Sequence, residues 1–130
     1  FQMRDQPLMM GRVAHSVDWF LSTMQGLGLL DSVLLFSASD FGRTLVSNGQ
    51  GSDHGWGGHH FVAGGAVRGG RIHGTMPVTA LGTSDDVGSG RLLPSTSVTQ
   101  YAAELGLGAS DLATVLPNLG AFDAGALTLV

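Results

Sequence analysis

The chain has no cysteine, which excludes thiolate metal sites, disulfides and a cysteine nucleophile. It has no lysine either. All six of its basic residues are arginine, so a phosphate-binding P-loop lysine and a Schiff-base lysine are both ruled out. Charge of either sign is scarce. Charged residues make up 12% of the chain, about half of the roughly 25% usual in soluble domains. So sparse a charged surface is expected to lie partly covered, by a missing half of the same domain or by a partner. The net charge of −4 argues against binding a phosphate backbone, and no nucleic-acid partner is expected. Long apolar runs are missing as well. The longest in the first half, Val33–Phe36, falls far short of the ~20 residues a membrane helix needs, so no span is expected here. At 130 residues the chain is one domain at most. It opens on Phe1 with a helical pattern under way by Pro7, and residues 1–130 are expected to be a single partial domain, a fragment of something longer.

Val13, Val17, Phe20, Leu21, Met24 and Leu27 recur at helical spacing and predict an amphipathic helix from Pro7 to about Gln25. Pro7 suits a first turn, and Gly26 and Gly28 suit its end. Ser32–Ala38 reads as a short buried strand and Phe61–Val67 as a second, weakened by Gly64-Gly65; Arg71–His73 is a candidate third. Thr83–Gly90 reads as loop. Ser97-Val98-Thr99-Gln100 is a capping box that predicts a helix over Val98–Leu105, stopped at Gly106. Ser110 is placed as the cap of a last helix, Asp111–Leu116, ended by Pro117. Helix, strand, polar loop, strand, helix is an α/β order.

Between Ala38 and Gly74 lie four of the five histidines, two aspartates and eleven of the 21 glycines. This stretch is too glycine-rich for a helix and reads as backbone bent around polar side chains, with short strands feeding in and out. Asp40 follows the first strand, where ligands sit in open α/β sheets. It is either a metal-ligand or acid–base carboxylate, or a turn aspartate paired with Arg43. Asp53-His54 and His59-His60 form the denser cluster, and carboxylate with imidazole is a workable donor set for a divalent metal such as zinc or manganese. Neighbours on extended chain point opposite ways, which leaves a trio such as Asp40, His54 and one of His59 or His60. No regular metal spacing is present, and histidine clusters also serve structural networks. Gly49-Gln50-Gly51 offers amides for an anion beside Arg43, against the plainer reading of a tight surface turn. Trp56 among glycines is either a stacking ring for a sugar or other substrate, or an anchor for the loop. Asp85-Asp86 reads as a solvated loop pair.

The stretch from Ser37 to Gly74, with Ser39-Asp40-Phe41-Gly42-Arg43-Thr44, Asn48-Gly49, Asp53-His54 and Gly64–Gly70, resembles the bacterial "domain of unknown function 1501" family. Leu27–Asp31, Leu93–Ser97 and Tyr101-Ala102 look like that family too. The family looks related to the alkaline phosphatase and sulfatase superfamily. That implies the C-terminal portion of a three-layer α/β sandwich with an incomplete sheet, whose N-terminal half, nucleophile and first metal ligands precede Phe1. It also implies a metal-dependent phosphate- or sulfate-ester hydrolase, or a non-catalytic exported protein that has lost the chemistry. Asp40 matches the aspartate of a superfamily Asp-His ligand pair, and His54 or His59 the later lone histidine. Phe41 stands where the pair's histidine would be, and phenylalanine binds no metal. Family members often carry twin-arginine export signals, so the resemblance implies an extracytoplasmic, periplasmic home.

Overall fold

The computed structural model describes residues 2–106, 111–123, 125 and 127–130. Helix α1, Gln2–Gly26, starts five residues earlier than the periodicity suggests and carries Pro7 inside it. Proline has no N–H to give, so that turn is one hydrogen bond short, and the helix nevertheless runs through it. The expected stripe is turned inward only in its middle, since Val13 and Leu27 at its two ends are exposed. Val17, Phe20, Leu21 and Met24 are half-buried, whereas Leu8, Met9, Met10 and Val13 are exposed. Among the described residues no helix is long and apolar enough to cross a membrane.

A 3-10 turn, Leu30–Ser32, leads into strand β1, Leu35–Phe36, which pairs antiparallel with β4, Val62–Ala63. Both predicted strands are therefore present but short. Of the second, Gly64–Val67 turns away in a bend and turn instead of continuing as strand, and Arg71–His73 forms no strand. Between them stands a hairpin of β2, Gly42–Ser47, and β3, Ser52–Gly55. Its register pairs Gly42 with Gly55, Arg43 with His54 and Ser47 with Ser52, with a shift between Arg43 and Ser47. Alternation buries Gly42, Thr44 and Gly55 on one face and leaves Arg43 and His54 exposed on the other, and Trp56, in the bend just past β3, is exposed as well. The outcome is mixed α/β with two small antiparallel sheets.

The hairpin turn is closed by Asn48. Its N–H donates to Gly51 O, its Oδ1 accepts from the amides of Gln50 and Gly51, and its Nδ2 donates to Asp53 Oδ1. Helix α2, Val98–Glu104, opens on the expected capping box. The Gln100 amide donates to Ser97 Oγ, and the Ser97 amide donates to the Gln100 side chain. Gly106 takes φ +72 just past its end, where a residue with a Cβ is disfavoured. Helix α3, Leu112–Val115, lies within the expected last helix; the proposed cap Ser110 falls outside the described residues. The core is small, built from Leu105, Leu127 and Leu129 with Leu34, Phe36, Val62 and Tyr101 packed against them. Residues 127–129 are held in place by backbone. Arg68 N–H donates to Leu129 O, and His73 spans the carbonyls of Leu127 and Arg68 with its two ring nitrogens.

Candidate functional site

Two chain segments run antiparallel between β1 and the hairpin, and they are pinned at both ends. At one end the Ser37 amide donates to Phe61 O, extending the β1–β4 ladder by a residue. At the other, Gly42 packs so tightly that a Cβ there would strike the Gly57 carbonyl, which is why glycine is needed. Ser39, Asp40 and Phe41 lie on one segment between these pins, with His59 and His60 on the other. The Ser39 hydroxyl folds back onto Phe41 O, making the bend that carries Asp40 outward. The side chains of Asp40 and His59 are exposed and take no hydrogen bond among the described residues.

His60 turns toward the sheet. The Phe61 amide donates to Ser37 Oγ, so the Ser37 hydroxyl hydrogen is free to point at His60 Nδ1, 3.3 Å away. Tyr101, reaching in from α2, stacks near His60 with centroids 5.7 Å apart and donates its own hydroxyl to Ser37 O at 3.0 Å. Burial raises the Tyr101 pKa above its ordinary value.

His54 turns a different way. Its ring lies flat on Phe41, with centroids 3.7 Å apart and planes 12° from parallel. Arg43, its cross-strand neighbour, sits over the same Phe41 ring at 5.0 Å and donates to Ser52 O at 2.7 Å. Asp53 is engaged by Asn48, while its amide donates to Thr44 Oγ1. The amides of Gly49 and Gly51 are likewise taken, by Ser47 Oγ and Asn48 Oδ1. Asp40, His59 and His60 thus share one pair of segments, whereas His54 and Asp53 belong to the hairpin. Among the described residues no three His, Asp or Glu side chains stand close enough together to hold a metal ion.

Sequence reading missed two polar centres. Ser37 lies inside a run read as a buried strand, and its pairing with residues 23 and 64 positions away leaves no local signal. Asp86, read as a solvated loop residue, accepts the amides of Gly82, Gly88 and Gly90. Glycine at two and four residues after an aspartate is the signal that could have found it.

Fold and site together define a mixed α/β chain with a glycine-rich, histidine-bearing hairpin region beside a two-stranded sheet. A family model described as "Protein of unknown function (DUF1501)" matches residues 2–105, and the chain belongs to that family. Neither a curated protein nor a solved structure matches it.

Proposed function

We propose that the chain is part of an exported alkaline phosphatase/sulfatase-like α/β protein that has kept the fold and lost the metal chemistry, and that it binds rather than hydrolyses. One observation carries this reading, phenylalanine at position 41 directly after Asp40. At the position where the resemblance calls for a ligand histidine there is a phenyl ring, which has no lone pair to give a metal and instead stacks on His54, one of the two histidines (His54 or His59) that would be the later ligand. The other candidate ligands point the same way. Asp53 is tied to Asn48 and His60 to Ser37, and among the described residues no three His, Asp or Glu side chains gather as a metal set. An N-terminal half of the same domain, covering the exposed side of α1, is part of this proposal, as is a periplasmic home.

A second reading, a zinc- or manganese-dependent phosphate- or sulfate-ester hydrolase, is favoured by Asp40 and His59. Their side chains are uncommitted on facing segments, and the nucleophile and further ligands would have to come from outside this chain. The deciding experiment is metal analysis of the full-length protein after mild purification, together with melting curves in added zinc or manganese and assays on nitrophenyl phosphate and sulfate. Metal-free protein with unmoved melting and no turnover is expected. Stoichiometric metal that is lost in Asp40→Ala or in the double variant Asp53→Ala/His54→Ala, with turnover lost alongside, would overturn the proposal.

A further inference from the structure

The outer face of the hairpin carries a set of side chains that the fold does not need. Arg43 and His54 face each other across the strands, and Trp56, two residues beyond His54 in the bend that follows β3, is exposed as they are. Trp56 is 68% exposed. A tryptophan among glycines that merely anchored its loop would be packed down. Arg43 is fixed from two directions, by Ser52 O and by the Phe41 ring, yet among the described residues it has no carboxylate partner. Holding a guanidinium this way removes much of the entropy cost of using its remaining N–H groups. His54 is held flat by Phe41, and its ring edge takes no hydrogen bond among the described residues. The opposite face of the hairpin is the buried one, so this platform is the side that meets solvent.

We propose that this face binds a pyranose ring bearing a carboxylate, such as the uronic-acid end of an acidic glycan. The ring would lie on Trp56, and the carboxylate would be received by Arg43 and His54. Spacing and charge favour that ligand. Residues two apart on a strand are about 6.7 Å apart, and directly opposed Cβ atoms are about 5 Å apart. A single sugar ring on the indole would then reach the Arg43 guanidinium and the edge of the His54 ring. An unpaired arginine wants an anion, and arginine receives carboxylate through paired N–H groups. The chain's net charge of −4 disfavours long polyanions, which points to a short or terminal acidic sugar rather than to nucleic acid.

This inference names the ligand of the binding reading above and rests on it. Its test is calorimetric titration of the full-length protein with tri-galacturonate, with maltotriose and benzoate as the neutral-sugar and ring-carboxylate controls. The expected result is saturable binding of tri-galacturonate at least tenfold tighter than either control. Arg43→Ala and Trp56→Ala should each weaken it tenfold or more, and Arg43→Lys should restore part of the loss. Circular dichroism of each variant would show that the hairpin still forms. No heat with tri-galacturonate, equal binding of benzoate, or folded variants that bind as well as the parent would each overturn the inference and leave the non-catalytic reading intact. Hydrolysis of the nitrophenyl esters would sink that reading instead.

Discussion

Asp86 shows how one carboxylate can organise a loop with no regular structure. Its oxygens collect the amides of Gly82, Gly88 and Gly90, and these donors, led by Gly82, hold its pKa below the usual carboxylate range. Gly90 in turn accepts from the Leu45 amide, so the loop is laid against the hairpin. The direction of the pH effect follows. A depressed carboxylate stabilises the fold fully above the unfolded aspartate value of about 3.9 and loses that contribution as pH falls through the lower folded value. Asp86→Asn is therefore expected to melt below the parent at pH 6, with the gap closing as pH falls through the depressed Asp86 value. Faster amide exchange at Leu45 in the variant would accompany it; identical melting at pH 6 would refute this role. At the same scale, the sequence shows which residues are chemically capable and hides where they aim. The histidines were legible as a cluster, but His60 answers to Ser37 and Tyr101, and His54 to Phe41, through contacts that only the folded chain brings together.

Among the elements, α2 was the most legible because its start is written in adjacent residues. Ser97 and Gln100 satisfy each other's amides, and no distant partner is required. Ser97→Ala is expected to cost about 1 kcal/mol of stability, read from chemical denaturation, with Ser97→Gly costing less. The hairpin was the least legible. Its inward face is made of Gly42, Thr44 and Gly55 rather than of alternating apolar side chains, so the period-two signal is absent. What sets it up is Asn48 taking backbone amides into its side chain, turn chemistry that looks in sequence like any glycine-rich loop. The strand at Leu35–Phe36 is shorter than the apolar run Ser32–Ala38 suggests, because apolar content marks burial and not pairing. A strand ends where its neighbour does, and β4 offers only Val62–Ala63.

Taken whole, the molecule is short of interior. It exposes 8858 Å², while a compact monomer of 13.4 kDa exposes roughly 6,500 Å², about 2,400 Å² less. That excess is what one side of an obligate interface buries, given that such interfaces cover roughly 2,000–5,000 Å² over both partners. Much of it lies on the outer half of α1, at Leu8, Met9, Met10 and Val13, and at Trp19. The 130-residue chain on its own is accordingly expected to self-associate or to need detergent. Light scattering coupled to gel filtration is the measurement, and a monodisperse monomer at tens of micromolar would contradict it. Replacing Met9, Met10 and Val13 together by glutamine should shift the distribution toward monomer without loss of helix.

Tyr101 also gives the molecule a built-in gauge. It is the chain's single tyrosine, anchored by its hydroxyl to Ser37 O and raised in pKa by burial. A phenol ionises later while α2 is seated on the sheet than after it lifts away, so ultraviolet absorbance on alkaline titration separates seated from detached chains without any label. Docking of the helix becomes a colour-like signal carried by one atom.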